Sequence, residues 1–279
     1  LQKIHFSAIS VACLPGISGL EVLLRSKDSK IKELVLWQVG TSTVGLRPVM
    51  QELGRNTTIT NLAIRESVLT REIVQQLKTV LRQNTVLQSL DLASTYLGSA
   101  GLVEIAPVLY RNASIKTLDL SSSDLDDIDS ANILREMIRR NKTITSLCLA
   151  SNTFGRNAAA ARSILEGVRS NTALQQLDLS DCELGDHGIS LLAKTLAIRN
   201  TGMLELNLQM NEITSMGVRA LVDDNVEAVK TLTKLCLDYN RIGSEGAKIL
   251  ADALGCNAMP SLKRLDLGWC GIEDEGIVA

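Results

Sequence analysis

The feature that most constrains this chain is a repeat. The pattern apolar-x-x-apolar-x-apolar occurs ten times in 279 residues, starting at Leu1, Ile31, Ile59, Leu87, Ile115, Ile144, Leu174, Met203, Leu232 and Leu262. The spacings are 30, 28, 28, 28, 29, 30, 29, 29 and 30 residues. Chance clustering of apolar residues does not hold a period within two residues over nine intervals, so each period is one structural unit. Its sharpest copies are Leu87-Gln-Ser-Leu-Asp-Leu, Ile115-Lys-Thr-Leu-Asp-Leu, Leu174-Gln-Gln-Leu-Asp-Leu, Leu232-Thr-Lys-Leu-Cys-Leu and Leu262-Lys-Arg-Leu-Asp-Leu. Positions in a repeat are numbered from the first residue of this pattern.

Each unit has two halves. The first alternates apolar and polar residues, the period of a strand. A turn position follows at position 9, occupied by Asn152, Cys182, Asn211, Asn240 and Cys270 in the later repeats. The second half has helical spacing: Ile189, Leu192, Ala193 and Leu196 fall on one face, and Ala247, Leu250, Ala251 and Leu254 repeat the pattern. Asn56, Asn84, Asn141, Asn171 and Asn200 close the helices. Asn tolerates the left-handed backbone that ends a helix, and that conformation is expected here. Asn56, Asn112 and Asn141 also start glycosylation sequons; their shared place in the repeat favours a turn role.

A single unit cannot bury both its strand and its helix, whereas stacked units can. The expected fold is an α/β solenoid of about ten 28–30-residue repeats, a horseshoe with a parallel sheet on its concave face and helices on its convex face. Residues 1–279 form one such domain. The start at Leu1 and the stop inside a repeat suggest a piece of a longer chain with incomplete caps.

The repeat motif resembles the leucine-rich repeat family. Its length and helix are similar to the subtype typified by ribonuclease inhibitor, shared with Ran GTPase-activating proteins, tropomodulin-like proteins and the sensor regions of NOD-like receptors. The resemblance spans essentially the whole chain; it specifies a fold and leaves the function open. One departure stands out. Position 9 holds Val39, Ser67, Thr95 and Ser123 in the N-terminal half, so the side-chain bonds that order this turn in the family are less assured there.

Composition removes several function classes. A net charge of −2 gives no basic excess for nucleic-acid binding, and 3% aromatic residues leave little for base stacking. Two histidines, His5 and His187 in different repeats, assemble no persuasive catalytic arrangement. The chain reads as a non-enzyme without a cofactor or metal. The uncharged stretch from Ile4 to Leu20 is too short and polar for a membrane span and fits the repeat. No two of the six cysteines are closer than 14 residues. Scattered thiols of this kind suit a reducing, cytoplasmic setting.

Several tempting motifs have plainer explanations. Gly98-Ser-Ala-Gly101, Gly185-Asp-His-Gly188 and Gly243-Ser-Glu-Gly246 recur at one repeat position and read as strand-to-helix turns rather than phosphate loops. Asp124, Asp126, Asp127 and Asp129 precede a helix, where acids meet its dipole, and they lack the spacing of a calcium loop. Arg135, Arg139, Arg140 and Lys142 complement the other end of that helix. Cys148 and Cys236 fall at outward strand positions, which would expose two thiols.

With positions 4 and 6 turned inward, positions 3, 5 and 7 face the concave surface, extended by positions 8 and 10. These positions carry twelve acids and five bases, a sum of −7, so the remainder carries +5. Asp91 and Asp119 lie on adjacent strands, a repulsion that a basic partner would relieve; a solvated acidic face is the alternative. Trp37, Tyr96, Tyr239 and Trp269 offer aromatic anchors, and aromatics with Arg dominate interface energetics; for Trp269 the alternative is packing against a further C-terminal repeat. The expected protein-binding face thus comprises Trp37, Arg65, Asp91, Tyr96, Asp119, Asp178, Glu205, Asp238, Tyr239, Arg241, Arg264, Asp266 and Trp269. The leading reading is a protein-interaction module, either the sensing region of a receptor or an adaptor, with a protein partner of basic character. A small-GTPase regulator and a cytoskeletal or axonemal scaffold remain as alternatives.

Overall fold

The computed structural model describes residues 3–7, 14–26, 29–38, 43–199, 202–222 and 229–273. Cys13, Val39 and Asn200 lie outside the described residues. The chain packs as two compact units, residues 1–124 and 125–279.

In the first unit, strands and helices alternate: β1 (Lys3–Ser7), α1 (Leu14–Arg25), β2 (Glu33–Trp37), α2 (Thr43–Arg55), β3 (Asn61–Arg65), α3 (Arg71–Gln83), β4 (Ser89–Asp91), α4 (Gly98–Leu109) and β5 (Thr117–Asp119). The strands are parallel and in register: Leu34, Leu62, Leu90 and Leu118, all at position 4, pair across the sheet. The second unit contains α5 (Ile128–Arg140), β6 (Ser146–Cys148), a short 3-10 turn at Phe154–Arg156, α6 (Ala158–Ser170), β7 (Gln176–Asp178), α7 (Gly185–Arg199), β8 (Glu205–Asn207), α8 (Ser215–Val222), β9 (Lys234–Cys236), α9 (Gly243–Gly255) and β10 (Arg264–Asp266). Its sheet is again parallel, with Leu147, Leu177, Leu206, Leu235 and Leu265 aligned. The sequence period therefore becomes sheet register directly. Leucines at positions 4 and 6, such as Leu90, Leu92, Leu118 and Leu120, are wholly buried between sheet and helices.

Helix starts follow local chemistry. Thr70, Asp127 and Asn157 cap α3, α5 and α6 by accepting first-turn N–H groups. Asp127 thus serves the structural role expected of the acidic run. Beyond the other end of α5, Lys142 donates to the Arg139 carbonyl, while Glu136 takes Arg139 at 2.7 Å and Arg140 at 3.1 Å. These guanidinia hold the Glu136 carboxyl below its usual range, Arg139 first. Gly98, Gly185 and Gly243 take φ of +56°, +56° and +64°, which explains the glycine that opens α4, α7 and α9.

Two expectations need correction. Asn56, Asn84, Asn141 and Asn171 are not left-handed: Asn84, Asn141 and Asn171 have φ of −80°, −70° and −91°. Their side chains do the work instead. Asn171 Nδ2 donates to Ile138 O (2.6 Å) and Asn141 O (3.0 Å) of the preceding repeat, while its Oδ1 accepts from Ala173 and Leu174. Asn56 and Asn84 make equivalent bonds to Leu24 O and Leu53 O. These three amides satisfy helix-end carbonyls one repeat back, and all four Asn are buried. The sequon positions Asn56 and Asn141 therefore belong to the core. The second correction concerns α9. Its buried side carries Ala247, Ile249, Leu250 and Ala253, while Leu254 is exposed. The helix packs on α8.

Candidate strand-face site

The outward surface of each unit is organised by the turn that follows each strand. At position 5, the side chain bends back to accept the N–H of position 7: Asp91 from Ala93 (3.0 Å), Asp119 from Ser121 (2.9 Å), Asp178 from Ser180 (2.9 Å) and Asn207 from Gln209 (3.1 Å). These are Asx turns, favoured because a short side-chain oxygen reaches its own backbone two residues on. The Asp of the Leu-Asp-Leu motif is thus first a turn-former.

Position 9 bonds inward. Asn240 Oδ1 accepts from Asn211 N and Ile213 N of the preceding repeat, while its Nδ2 donates to Leu208 O and Leu237 O. Asn211 repeats this one period earlier. The thiols of Cys182 and Cys270 and the hydroxyls of Thr95 and Ser123 donate to equivalent carbonyls. The donor half of the pattern therefore persists in the first unit through Ser and Thr.

Position 8 points outward. Gln38, Glu66, Ser94 and Ser122 in the first unit, and Ser151, Asp181, Met210, Tyr239 and Trp269 in the second, all have φ between 47° and 58°. A non-glycine residue pays for this backbone. In the last three repeats the position carries large apolar groups: Met210, Tyr239 and Trp269 are 48%, 51% and 79% exposed. The rings of Tyr239 and Trp269 stack with centroids 6.0 Å apart and planes 10° apart. Met210 was not among the expected binding residues, although its place in the repeat matches the two aromatics. A search restricted to charges and rings passes over it.

The acids are less free than their count suggests. Asp91 is buried, contrary to expectation, because Arg65 from β3 donates Nε to its Oδ2 at 2.6 Å. This bond raises the Arg65 pKa, and it relieves the Asp91–Asp119 repulsion internally. Asp119 and Asp178 are half-buried, and each also accepts a serine hydroxyl, from Ser121 and Ser180. Arg264 pairs with Asp266 at 2.9 Å and lowers its carboxyl pKa. Arg156 grips Glu183 through Nε and Nη2 and lowers that carboxyl pKa too. Glu205 is half-buried and accepts from Gln176 at 3.0 Å, while Arg241 approaches Glu212 only to 3.9 Å. In the first unit Trp37 is half-buried against His5, with centroids 5.9 Å apart, and Tyr96 is exposed. The structure thus brings Asp238, Tyr239, Arg241 and Trp269 onto adjacent turns of the second unit, with Arg264 and Asp266 on β10 beside them. Trp37, Arg65, Asp91, Tyr96 and Asp119 belong to the first.

Cys236 is buried rather than exposed. Its thiol lies 3.1 Å from Asp238 Oδ2 and 3.3 Å from Asp266 Oδ2. Burial, with these acceptors and their charge, pushes its pKa up to about 12, so it carries no thiolate at neutral pH.

Comparison with known proteins places this architecture. The Leucine Rich repeat family profile matches residues 83–106, 170–193, 199–222, 230–251 and 258–279. The matched segments are leucine-rich repeats, and the chain is similar to proteins of the ribonuclease-inhibitor-like type. The leucine-rich repeat chain is 32% identical over half its length to ribonuclease inhibitor of Sus scrofa, of which the match spans 30%. It is 28% identical over 53% of its length to NACHT, LRR and PYD domains-containing protein 5 of Mus musculus, of which the match spans 12%. Among solved structures, the leucine-rich repeat-containing protein LegL7 from Legionella pneumophila aligns with 95% of this chain and 82% of its own, at a TM-score of 0.63 and 21% identity. That likeness concerns the fold. The matched region is under a third of the relatives' own lengths, so their whole-protein activities are not carried over. No helix among the described residues is long and apolar enough to cross a membrane.

Proposed function

We infer that this leucine-rich repeat chain is a non-catalytic protein-interaction module, and that the strand-side turns of its second unit hold a protein partner. Leucine-rich repeat proteins are generally interaction modules; the carrying observation in this chain is the stripe Met210, Tyr239, Trp269. A tryptophan that is 79% exposed on a left-handed backbone gains little from burial and pays in conformation. Its stability cost is offset when a partner covers it. Exposed aromatic and methionine side chains in a row are the composition of an interface centre. Around the stripe, strand-face positions of the second unit hold seven acids against three bases, a net of −4. This favours a partner with a basic rim, reached in a reducing compartment where the free thiols persist. The sensing region of a receptor and an adaptor share this mode of action.

The test is partner recovery from source cells with the wild-type chain and with Tyr239→Ala/Trp269→Ala. The expected result is loss of specific partners from the variant while its far-ultraviolet circular dichroism and melting temperature stay unchanged. An identical partner set with both proteins removes this surface from consideration.

A further inference from the structure

At one edge of the first unit, three loops carry the chain from a helix end to the next strand: residues 56–60 between α2 and β3, 84–88 between α3 and β4, and 110–116 between α4 and β5. Helix ends and loops place Arg55, Arg82, Arg111 and Lys116 there, all exposed. Residues 53–65, 73–90 and 105–118 contain no Asp or Glu, although the chain as a whole has more acids than bases, 31 against 29. Glu52, just before the first of these stretches, is already held by Arg25 at 3.0 Å. The opposite edge, where strands run into helices, is mixed in charge, with Glu66, Arg71, Glu72 and Asp124.

The three loops are fixed side by side. Gln88 N–H donates to Thr60 O at 2.7 Å, and Lys116 N–H donates to Gln88 O at 2.8 Å. Asn84 Nδ2 donates to Leu53 O at 2.7 Å and to Asn56 O at 3.1 Å, and Asn112 Nδ2 donates to Leu81 O at 3.3 Å. These amides satisfy helix-end carbonyls, a task that a basic side chain can also take on. Lys142 does so after α5, where it donates to Arg139 O. Arg55, Arg82 and Arg111 do not: among the described residues, none of the three guanidinia forms an ion pair or a hydrogen bond. Their charge favourably meets the helix dipole, but that effect leaves their N–H donors turned to solvent.

We propose that this edge binds an extended acidic segment of a protein partner, with carboxylates seated on Arg55, Arg82 and Arg111 in turn. Neighbouring helices pack about 8–10 Å apart. Three helix ends therefore span about 20 Å, the length of about six or seven extended residues at about 3.3 Å each. The planar guanidinium fork matches a carboxylate. An anionic membrane fits less well. The other exposed residues of these loops are Thr57, Thr85, Gln88 and Ala113, with no large apolar side chain to enter a bilayer. No exposed aromatic side chain accompanies the arginines in these loops, so a nucleobase has nothing to stack on. The edge belongs to the first unit, so its failure leaves the stripe on the second unit standing.

The experiment uses the full chain, ¹⁵N-labelled, titrated at low salt with acetyl-Glu-Gly-Ser-Glu-Gly-Ser-Glu-amide, whose carboxylates recur every third residue. Saturable amide shifts are expected at residues 55–60, 82–88 and 111–117. Arg55→Gln/Arg82→Gln/Arg111→Gln should weaken binding by about 10-fold. Arg55→Lys/Arg82→Lys/Arg111→Lys keeps the charge but loses the fork, and about 3-fold weaker binding is expected. The proposal is overturned by an absence of saturable shifts at these loops, or by unchanged affinity in the glutamine variant, with the lysine variant deciding if that one does not fold. An equal response to acetyl-Lys-Gly-Ser-Lys-Gly-Ser-Lys-amide overturns it too. So does binding of phosphatidylserine vesicles or of oligothymidylate at these loops without a response to the acidic peptide.

Discussion

Asp178 and Asn207 occupy the same position in consecutive repeats, and both accept the N–H two residues on. What the turn needs at position 5 is an oxygen, not a charge, so a column of aspartates there reports turn chemistry before it reports a partner. The thiols follow the same logic of local acceptors. Cys182, Cys236 and Cys270 are buried and donate to backbone carbonyls or carboxylates; burial raises all three pKa values, and Cys236 reaches about 12. An unfolded chain ionises its thiols near about 8.5. Between that value and the raised ones, the unfolded state binds fewer protons. The stability these thiols contribute is therefore full below about pH 8.5 and declines as the pH climbs. Urea midpoints measured from pH 7 to pH 10.5 should fall, and replacing the three with Ala, Ser and Ser should flatten that decline. In the same pH range, iodoacetamide should label exposed Cys256 first and leave the three buried thiols until unfolding. Early labelling of Cys236 would contradict this account.

At the scale of elements, the repeat period alone located the described strands, because position 4 of each repeat becomes the aligned apolar residue of its strand. The buried face of α7 was legible for the same reason: Ile189, Leu192, Ala193 and Leu196 are all at most 2% exposed. The face of α9 was legible only in part: Ala247 and Leu250 are buried as expected, but Leu254 is 43% exposed. The role of the buried Asn residues was not legible, because their partners lie one repeat away in sequence and only adjacent in space. Helix spacing is another such property. Gly167 of α6 faces the backbone of α5, and a Cβ there would sit 2.9 Å from Arg135 Cα and O. Ala is favoured over Gly in a helix by about 1 kcal/mol, but forcing the two backbones apart costs about 1–3 kcal/mol. The contact is to backbone, which cannot swing away, so the packing term should win. Gly167→Ala is expected to lower stability by up to about 2 kcal/mol in urea unfolding; a stabilised variant would show that α6 can shift freely.

For the molecule as a whole, charge and apolar anchors should divide the work of binding. The chain is near neutral at −2, yet the second unit's strand-side positions sum to −4. Part of that is neutralised by Arg156 beyond those positions, and the Arg264–Asp266 pair is locked internally. Two of the less committed carboxylates are Glu205, held by one glutamine amide, and Glu212, whose guanidinium partner is 3.9 Å away. Exposed charges of this kind steer encounter and are screened beyond about 8 Å at physiological salt. Buried anchors instead set how long a complex lasts. Against a partner recovered by the wild-type chain, Glu205→Lys/Glu212→Lys should slow association by about 10-fold at low salt and little at high salt, with dissociation nearly unchanged. Tyr239→Ala/Trp269→Ala should do the reverse, speeding dissociation by about 100-fold at every salt concentration. Stopped-flow or surface-based kinetics across a salt series separates the two. If the charge variant changed dissociation as much as the aromatic one, the carboxylates would lie at the centre of the contact, and the stripe Met210, Tyr239, Trp269 would lose its place as the anchor.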